Sequence, residues 1–188
     1  MKQSGFTLIE LLVVLAIAVI ILTTAIPSFQ SFIQSNRISS TAYTFVSTLN
    51  LARSEAVKRG SLVTVCKSKD EDTCSFDADR GWEQGWIVFV DSDASGDHES
   101  GEELIRVSSG IKGAISIAAQ SEVDKKISYL SSGFIQGPSG GTLDSTKSSL
   151  IICDSHTFNN STRMITISSA GSVRSVMAAD KGLSSCTI

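Results

Sequence analysis

Gly5-Phe6-Thr7-Leu8-Ile9-Glu10-Leu11-Leu12 opens a run to Ile26 that is apolar except for Thr7, Glu10, Thr23 and Thr24. Beyond Glu10 no charged side chain occurs until Arg37. As an α-helix, the stretch from Phe6 to Ile26 reaches about 31 Å, close to the thickness of a bilayer's hydrocarbon core. The segment is therefore long and apolar enough to span a membrane, with Lys2 holding its start on the cytoplasmic side. A conventional secretory signal fits poorly. Such a signal has a shorter apolar core ending at a small-residue cleavage site, whereas this run passes into Pro27 and a polar helix.

Glu10 breaks the pattern. A carboxylate in an apolar helix costs roughly 2.5–3.5 kcal/mol at the bilayer centre and less near its edge. Two readings follow: a side chain reaching interfacial water, or a carboxylate awaiting a cationic partner. Position alone does not choose between them.

The string from Gly5 to Leu12 resembles the type IV pilin signature read by a prepilin peptidase. The resemblance implies cleavage between Gly5 and Phe6 and N-methylation of Phe6. It also implies that the Glu10 carboxylate meets the N-terminal amine of a neighbouring subunit during assembly. Pro27 matches a proline that commonly bends the pilin helix.

Past the apolar run the pattern becomes amphipathic. Ile38, Ala42, Phe45, Leu49, Ala52 and Ala56 recur at spacings of three and four, which marks a core-facing stripe. Gly60 is a natural helix terminator. One long helix is expected from Phe6 to Arg59, bent near Pro27, its second half packed on a head. After Gly60 the period shortens to two. Ser61–Cys66, Gly85–Val90, Glu103–Val107, Ala114–Ala119, Ile127–Leu130, Ser149–Cys153, Met164–Ser168 and Ser172–Met177 read as short strands separated by Gly, Ser and Asp clusters. The fold class is α+β, a long N-terminal helix on an antiparallel, sandwich-like head. The expected organisation is a leader (1–5), a transmembrane and assembly helix (6–32), an amphipathic helix (33–60) and a β-rich periplasmic head (61–188).

A wider likeness runs through the same region. Ala52-Arg53-Ser54-Glu55-Ala56, Arg59-Gly60, Val63-Thr64-Val65-Cys66, Gly81-Trp82, Gly85 to Asp91 and Gly101 to Arg106 resemble the FimT/FimU/GspH group of minor pilins and pseudopilins. That group implies two packed antiparallel sheets beside the helix. Its partners would be other pilins, a prepilin peptidase and the inner membrane. The chain would reside in the inner membrane, head in the periplasm, before joining a filament at the cell surface. The role implied is a low-copy tip subunit that primes type IV pilus assembly. The alternatives are a DNA-binding pilin used in DNA uptake and a type II secretion pseudopilin.

The chain has 188 residues and a net charge of −3, enough for one domain and without a global signature of nucleic-acid binding. Between Asp70 and Glu103, however, twelve acidic residues face one basic residue, Arg80. Four cysteines, Cys66, Cys74, Cys153 and Cys186, all follow residue 60. An even count in an exported chain suggests disulfides. Of three possible pairings we expect Cys66–Cys74 and Cys153–Cys186, because each brackets a polar loop. Zinc lacks support, since no C-x-x-C spacing and no histidine cluster occurs. Trp82 and Trp86 could stack a base or a sugar, but core residues beside the Cys66–Cys74 loop are the preferred reading.

Gly137-Pro138-Ser139-Gly140-Gly141 matches G-x-S-x-G by letters, yet it sits in a Gly/Ser-rich loop without the strand and helix that a nucleophile elbow needs. The two histidines, His98 and His156, have no nucleophile to join. No catalytic residue is assigned, and enzymatic function is disfavoured. Asp91, Asp93, Ser95, Gly96, Glu99 and Glu102 occupy positions 1, 3, 5, 6, 9 and 12 of an EF-hand-type calcium loop. Against calcium stand His98 at the usually apolar position 8 and flanking strands in place of helices. No cofactor is otherwise expected. Gly171-Ser172-Val173-Arg174 partly matches the Gly-Arg-x-Arg motif of DNA-binding FimT-like pilins, with Ser172 replacing the first arginine. Gly171, Arg174, Arg163 and Lys181 are the candidate DNA contacts.

Overall fold

The computed structural model describes residues 7–77, 81–138, 140–154 and 158–186, apart from the side chains of Thr24 and Pro27. A single helix, α1, runs Leu8–Arg59, with a helical backbone through Pro27. The chain divides into two compact units, Met1–Arg37 and Ile38–Ile188.

In the first unit the apolar side chains from Leu8 to Ile26 point outward around the whole helix, and most are more than half exposed. Among the described residues this is the one helix long and apolar enough to cross a membrane.

Among the described residues, the second unit contains the remainder of α1 and nine strands: β1 Val63–Lys67, β2 Gly85–Val90, β3 Leu104–Ser109, β4 Ile115–Ala119, β5 Lys126–Tyr129, β6 Ile135–Gln136, β7 Ser149–Asp154, β8 Arg163–Ile167 and β9 Val173–Met177. They form two sheets, in the orders β3-β2-β1-β5-β6 and β4-β7-β8-β9, and every pairing is antiparallel. The eight strands expected from the period-two pattern are present with ends shifted by a few residues. The ninth, β6, has two residues, too few to show a period.

Ile38, Ala42, Phe45, Leu49, Ala52 and Ala56 are fully buried against both sheets. Phe45 is the centre of this core. Its ring meets Trp82 edge-on at 5.1 Å and Trp86 at 5.0 Å. Both indoles are buried, and each finds a partner for its N–H: Trp82 Nε1 donates to Val123 O at 3.1 Å and Trp86 Nε1 to Thr48 Oγ1 at 3.3 Å. The tryptophans are thus core residues, with no face open for stacking a base.

The far face of the first sheet carries a smaller apolar cluster, Cys66, Ile87 and Phe89, covered by Cys74 and Phe76. This cluster exists because the Cys66–Cys74 disulfide folds the 67–77 segment back over the sheet. The second disulfide joins Cys153 at the end of β7 to Cys186.

Candidate functional site

At the start of α1, Thr7 N and Thr7 Oγ1 both donate to Glu10 Oε2 at 2.8 Å, and Glu10 N donates to Thr7 Oγ1 at 3.4 Å. Thr7 precedes the first helical residue and Glu10 is the third, so the two form a reciprocal capping box. A carboxylate in the first turn also faces the positive end of the helix dipole. The box satisfies two backbone donors of the first turn, and it holds the carboxylate at the start of the apolar run. The signal, Thr-x-x-Glu ahead of an apolar run, was present in the sequence. Oε1 takes no part in the box. The expected processing residues Gly5 and Phe6 lie outside the described residues, as do Ser139 and His156.

The four candidate DNA contacts do not form one surface. Register pairs Arg163 with Met177 and Arg174 with Thr166. Side chains alternate along a strand, so Arg163 shares the inward face of Ile165 and Ile167 while Arg174 points outward. Arg163 Nη2 accordingly lies 3.5 Å from Ser39 Oγ on α1. Lys181 is exposed, in a 3₁₀ turn that follows β9. Gly171 is buried at φ +78°, and a Cβ there would lie 2.1 Å from Gly133 O. Its presence is explained by that close approach, whatever the role of Arg174.

The acidic segment between β2 and β3 partly converges. One carboxylate oxygen each from Asp91, Asp93 and Glu102 lie within 4.8 Å of one another. Glu99 is not in that group; its N–H donates to Glu102 Oε2 at 3.2 Å. Ser95 Oγ donates to Asp97 O at 3.2 Å. His98 does what an apolar residue at position 8 would do, packing edge-on against Phe89 at 5.2 Å. Its Nδ1 is 2.7 Å from Asp72 O, which ties this loop to the disulfide loop.

The architecture has solved counterparts. The minor pilin FimU of the Pseudomonas aeruginosa type IV system is similar at TM-score 0.57 and 20% identity, over 79% of this chain and 94% of that one. The minor pseudopilin EpsH of the Vibrio cholerae type II secretion system is similar at TM-score 0.51 and 15% identity, over 76% of this chain and 98% of that one. These likenesses concern the fold. No curated protein matches. The family profile described as type II transport protein GspH matches residues 41–171, and the prokaryotic N-terminal methylation motif matches residues 1–26. The chain belongs to the GspH family.

Membership makes it a minor pilin or pseudopilin, a component of a type IV pilus or a type II secretion system. The GspH match ends at Gly171, so Arg174 lies outside it. Within this GspH-family head, helix residues quoted for the resemblance have defined work. Arg53 Nε donates to Gly133 O at 3.1 Å and Nη2 to Ala170 O at 2.9 Å, joining the β5–β6 turn of one sheet to the β8–β9 turn of the other. Arg59 makes a two-pronged pair with Glu103, at 2.6 and 2.9 Å, and a third bond to Glu55 at 2.6 Å. Its guanidinium holds both carboxyls below their ordinary pKa.

Proposed function

We propose that this GspH-family chain is a low-copy subunit at the tip of a type IV pilus, where it helps to initiate filament assembly. The observation that carries the reading is the Met1–Arg37 unit. Its helix exposes apolar side chains on all sides and bears one carboxylate, Glu10, at its start. Such a surface is unstable in water and suits first a bilayer and then a bundle of similar helices. Prepilin peptidase would cut before Phe6, and Glu10 would meet the new amine of a neighbouring subunit. The head would lie in the periplasm until assembly. The low copy number is supported by the two structural relatives, FimU and EpsH, both of which are minor subunits of their systems.

Two measurements test this. Mass spectrometry of the chain from membranes is expected to show loss of residues 1–5 and a methylated Phe6. Immunogold labelling of sheared filaments is expected to mark filament ends. Label along the filament length contradicts the tip position. Intact pili with loss of protein secretion on deletion assigns the chain to a type II secretion system instead.

A further inference from the structure

We propose that the β2–β3 loop binds one calcium ion through the carboxylates of Asp91, Asp93 and Glu102. One carboxylate oxygen of each residue lies within 4.8 Å of the other two. Three negative charges held that close repel one another, and a fold keeps such an arrangement when a cation offsets it.

An independent observation concerns Asp91. This side chain is 2% exposed. Its Oδ2 accepts from Thr64 Oγ1 at 2.7 Å, and Thr64 Oγ1 lies 2.8 Å from Ser128 Oγ, which acts as donor because the Thr64 proton is committed to Asp91. Asp91 Oδ1 is buried with no hydrogen-bond partner. A buried, unpartnered carboxylate oxygen is costly unless a cation meets it.

The remaining groups are set for a ligand. Glu102 is held by Ser92 N–H at 2.7 Å to Oε1 and by Glu99 N–H at 3.2 Å to Oε2. Asp93 Oδ1 accepts from Ser95 N at 3.0 Å. Nearby, Lys126 Nζ is directed to Ser95 O at 2.9 Å. Its single charge leaves a net of two negative charges at the cluster, the complement of a divalent ion. The donors are all oxygen, which selects a hard cation. Both ring nitrogens of His98 already face backbone oxygens, Asp72 O at 2.7 Å and Glu102 O at 3.4 Å. The cysteines are disulfide-bonded, so a softer metal lacks its preferred ligands. Loop positions 1, 3 and 12 converge, as in a helix-flanked calcium loop, and Gly96 at position 6 turns the chain at φ +78°. Strands flank the loop, which shows that the spacing and the turn, not the helices, bring the carboxylates together. The mixed, irregular oxygen set fits calcium better than magnesium, which demands near-octahedral geometry.

The test uses the full chain in detergent micelles, stripped of metal with a chelator, at pH 7. Calorimetric titration with calcium chloride is expected to show one saturable site with Kd of about 10⁻⁴–10⁻³ M. At about 10 mM calcium the Tm is expected to rise by about 3–10 °C. Asp93→Asn and Glu102→Gln keep side-chain shape and are expected to weaken binding at least about tenfold, since each removes a charged ligand. Absence of binding heat, an equal Tm rise in the wild type and both variants, or an equal rise with magnesium would each overturn the proposal. None of these results bears on filament assembly, which depends on the Met1–Arg37 unit.

Discussion

Thr7 and Glu10 share their hydrogen bonds reciprocally at the start of α1, and both Thr7 donors converge on one carboxylate oxygen, Glu10 Oε2. Under the proposed assembly role, Glu10 would have two separable functions: a neutral one, capping the helix, and a charged one, meeting a cation on another subunit. Glutamine can serve the first but not the second. Thr7→Ala has the reverse effect, removing the cap and keeping the charge, at a cost of about 1 kcal/mol in helix stability.

Phe45 packs edge-on against two buried tryptophans. Phe45→Ala is expected to destabilise the head by about 3–5 kcal/mol, through lost burial and the cavity left behind. Chemical denaturation followed by the fluorescence of Trp82 and Trp86 measures it. A loss under about 1 kcal/mol would mean that the α1 stripe is not the centre of the core.

The disulfides close loops of unequal length, with sequence separations of 8 and 33 residues. In the chain-entropy account the longer loop contributes about 1 kcal/mol more. Cys186→Ala is thus expected to lower stability more than Cys74→Ala, each variant leaving the buried partner in place. The reverse order in denaturation midpoints would show that the apolar cover over Ile87 and Phe89 outweighs loop closure.

Gly171 and Arg174 belong to one short motif but respond to different physics. Gly171→Ala forces a Cβ toward Gly133 O at a positive φ, and a loss of about 2 kcal/mol or more is expected. Arg174→Ala, at an exposed strand position, is expected to change stability by less than about 0.5 kcal/mol. DNA binding by the full chain at low salt, with a salt slope reduced by about one on Arg174→Ala, would favour a DNA-uptake role. The account predicts no such binding, because Arg163 lies on the opposite face of the sheet.

Asp91 gives stability a distinctive pH dependence in the chelated protein. Its folded pKa is raised by burial. A raised carboxyl contributes stability that is fully present below the unfolded value of about 3.9 and is lost as pH rises through the folded value. Asp91→Asn removes that loss and supplies an N–H toward the neighbouring carboxylates. In chelator at pH 7, Asp91→Asn is expected to melt above the wild type, with the gap closing toward pH 4. Calcium is expected to narrow the gap at pH 7 by stabilising only the wild type.

Much of this organisation was legible in the sequence. The six stripe residues from Ile38 to Ala56 are all fully buried, because helical spacing survives wherever one face meets a core. The Cys66–Cys74 pair was also readable, since a separation of 8 residues needs little help from the fold, and it leaves Cys153 to pair with Cys186. The limits are equally physical. The closeness of Gly133 and Gly171 is a contact between turns of different sheets, and nothing local encodes it. Arg163 and Arg174 look alike as charges, and only strand register separates their faces. The calcium-type spacing named five ligands, of which three acidic side chains converge. Glu99 contributes its backbone N–H, which donates to Glu102 Oε2, while its carboxylate lies outside the group.

The most direct test of the assembly role compares wild-type, Glu10→Gln and Thr7→Ala chains in cells that assemble the filament, reading the fraction of each chain recovered with sheared filaments. The account predicts that Thr7→Ala is recovered nearly as well as the wild type, and that Glu10→Gln reaches the membrane in equal amount but drops at least about tenfold in the filament fraction. Recovery of Glu10→Gln at the wild-type level would contradict it, leaving Glu10 as a helix cap and no more.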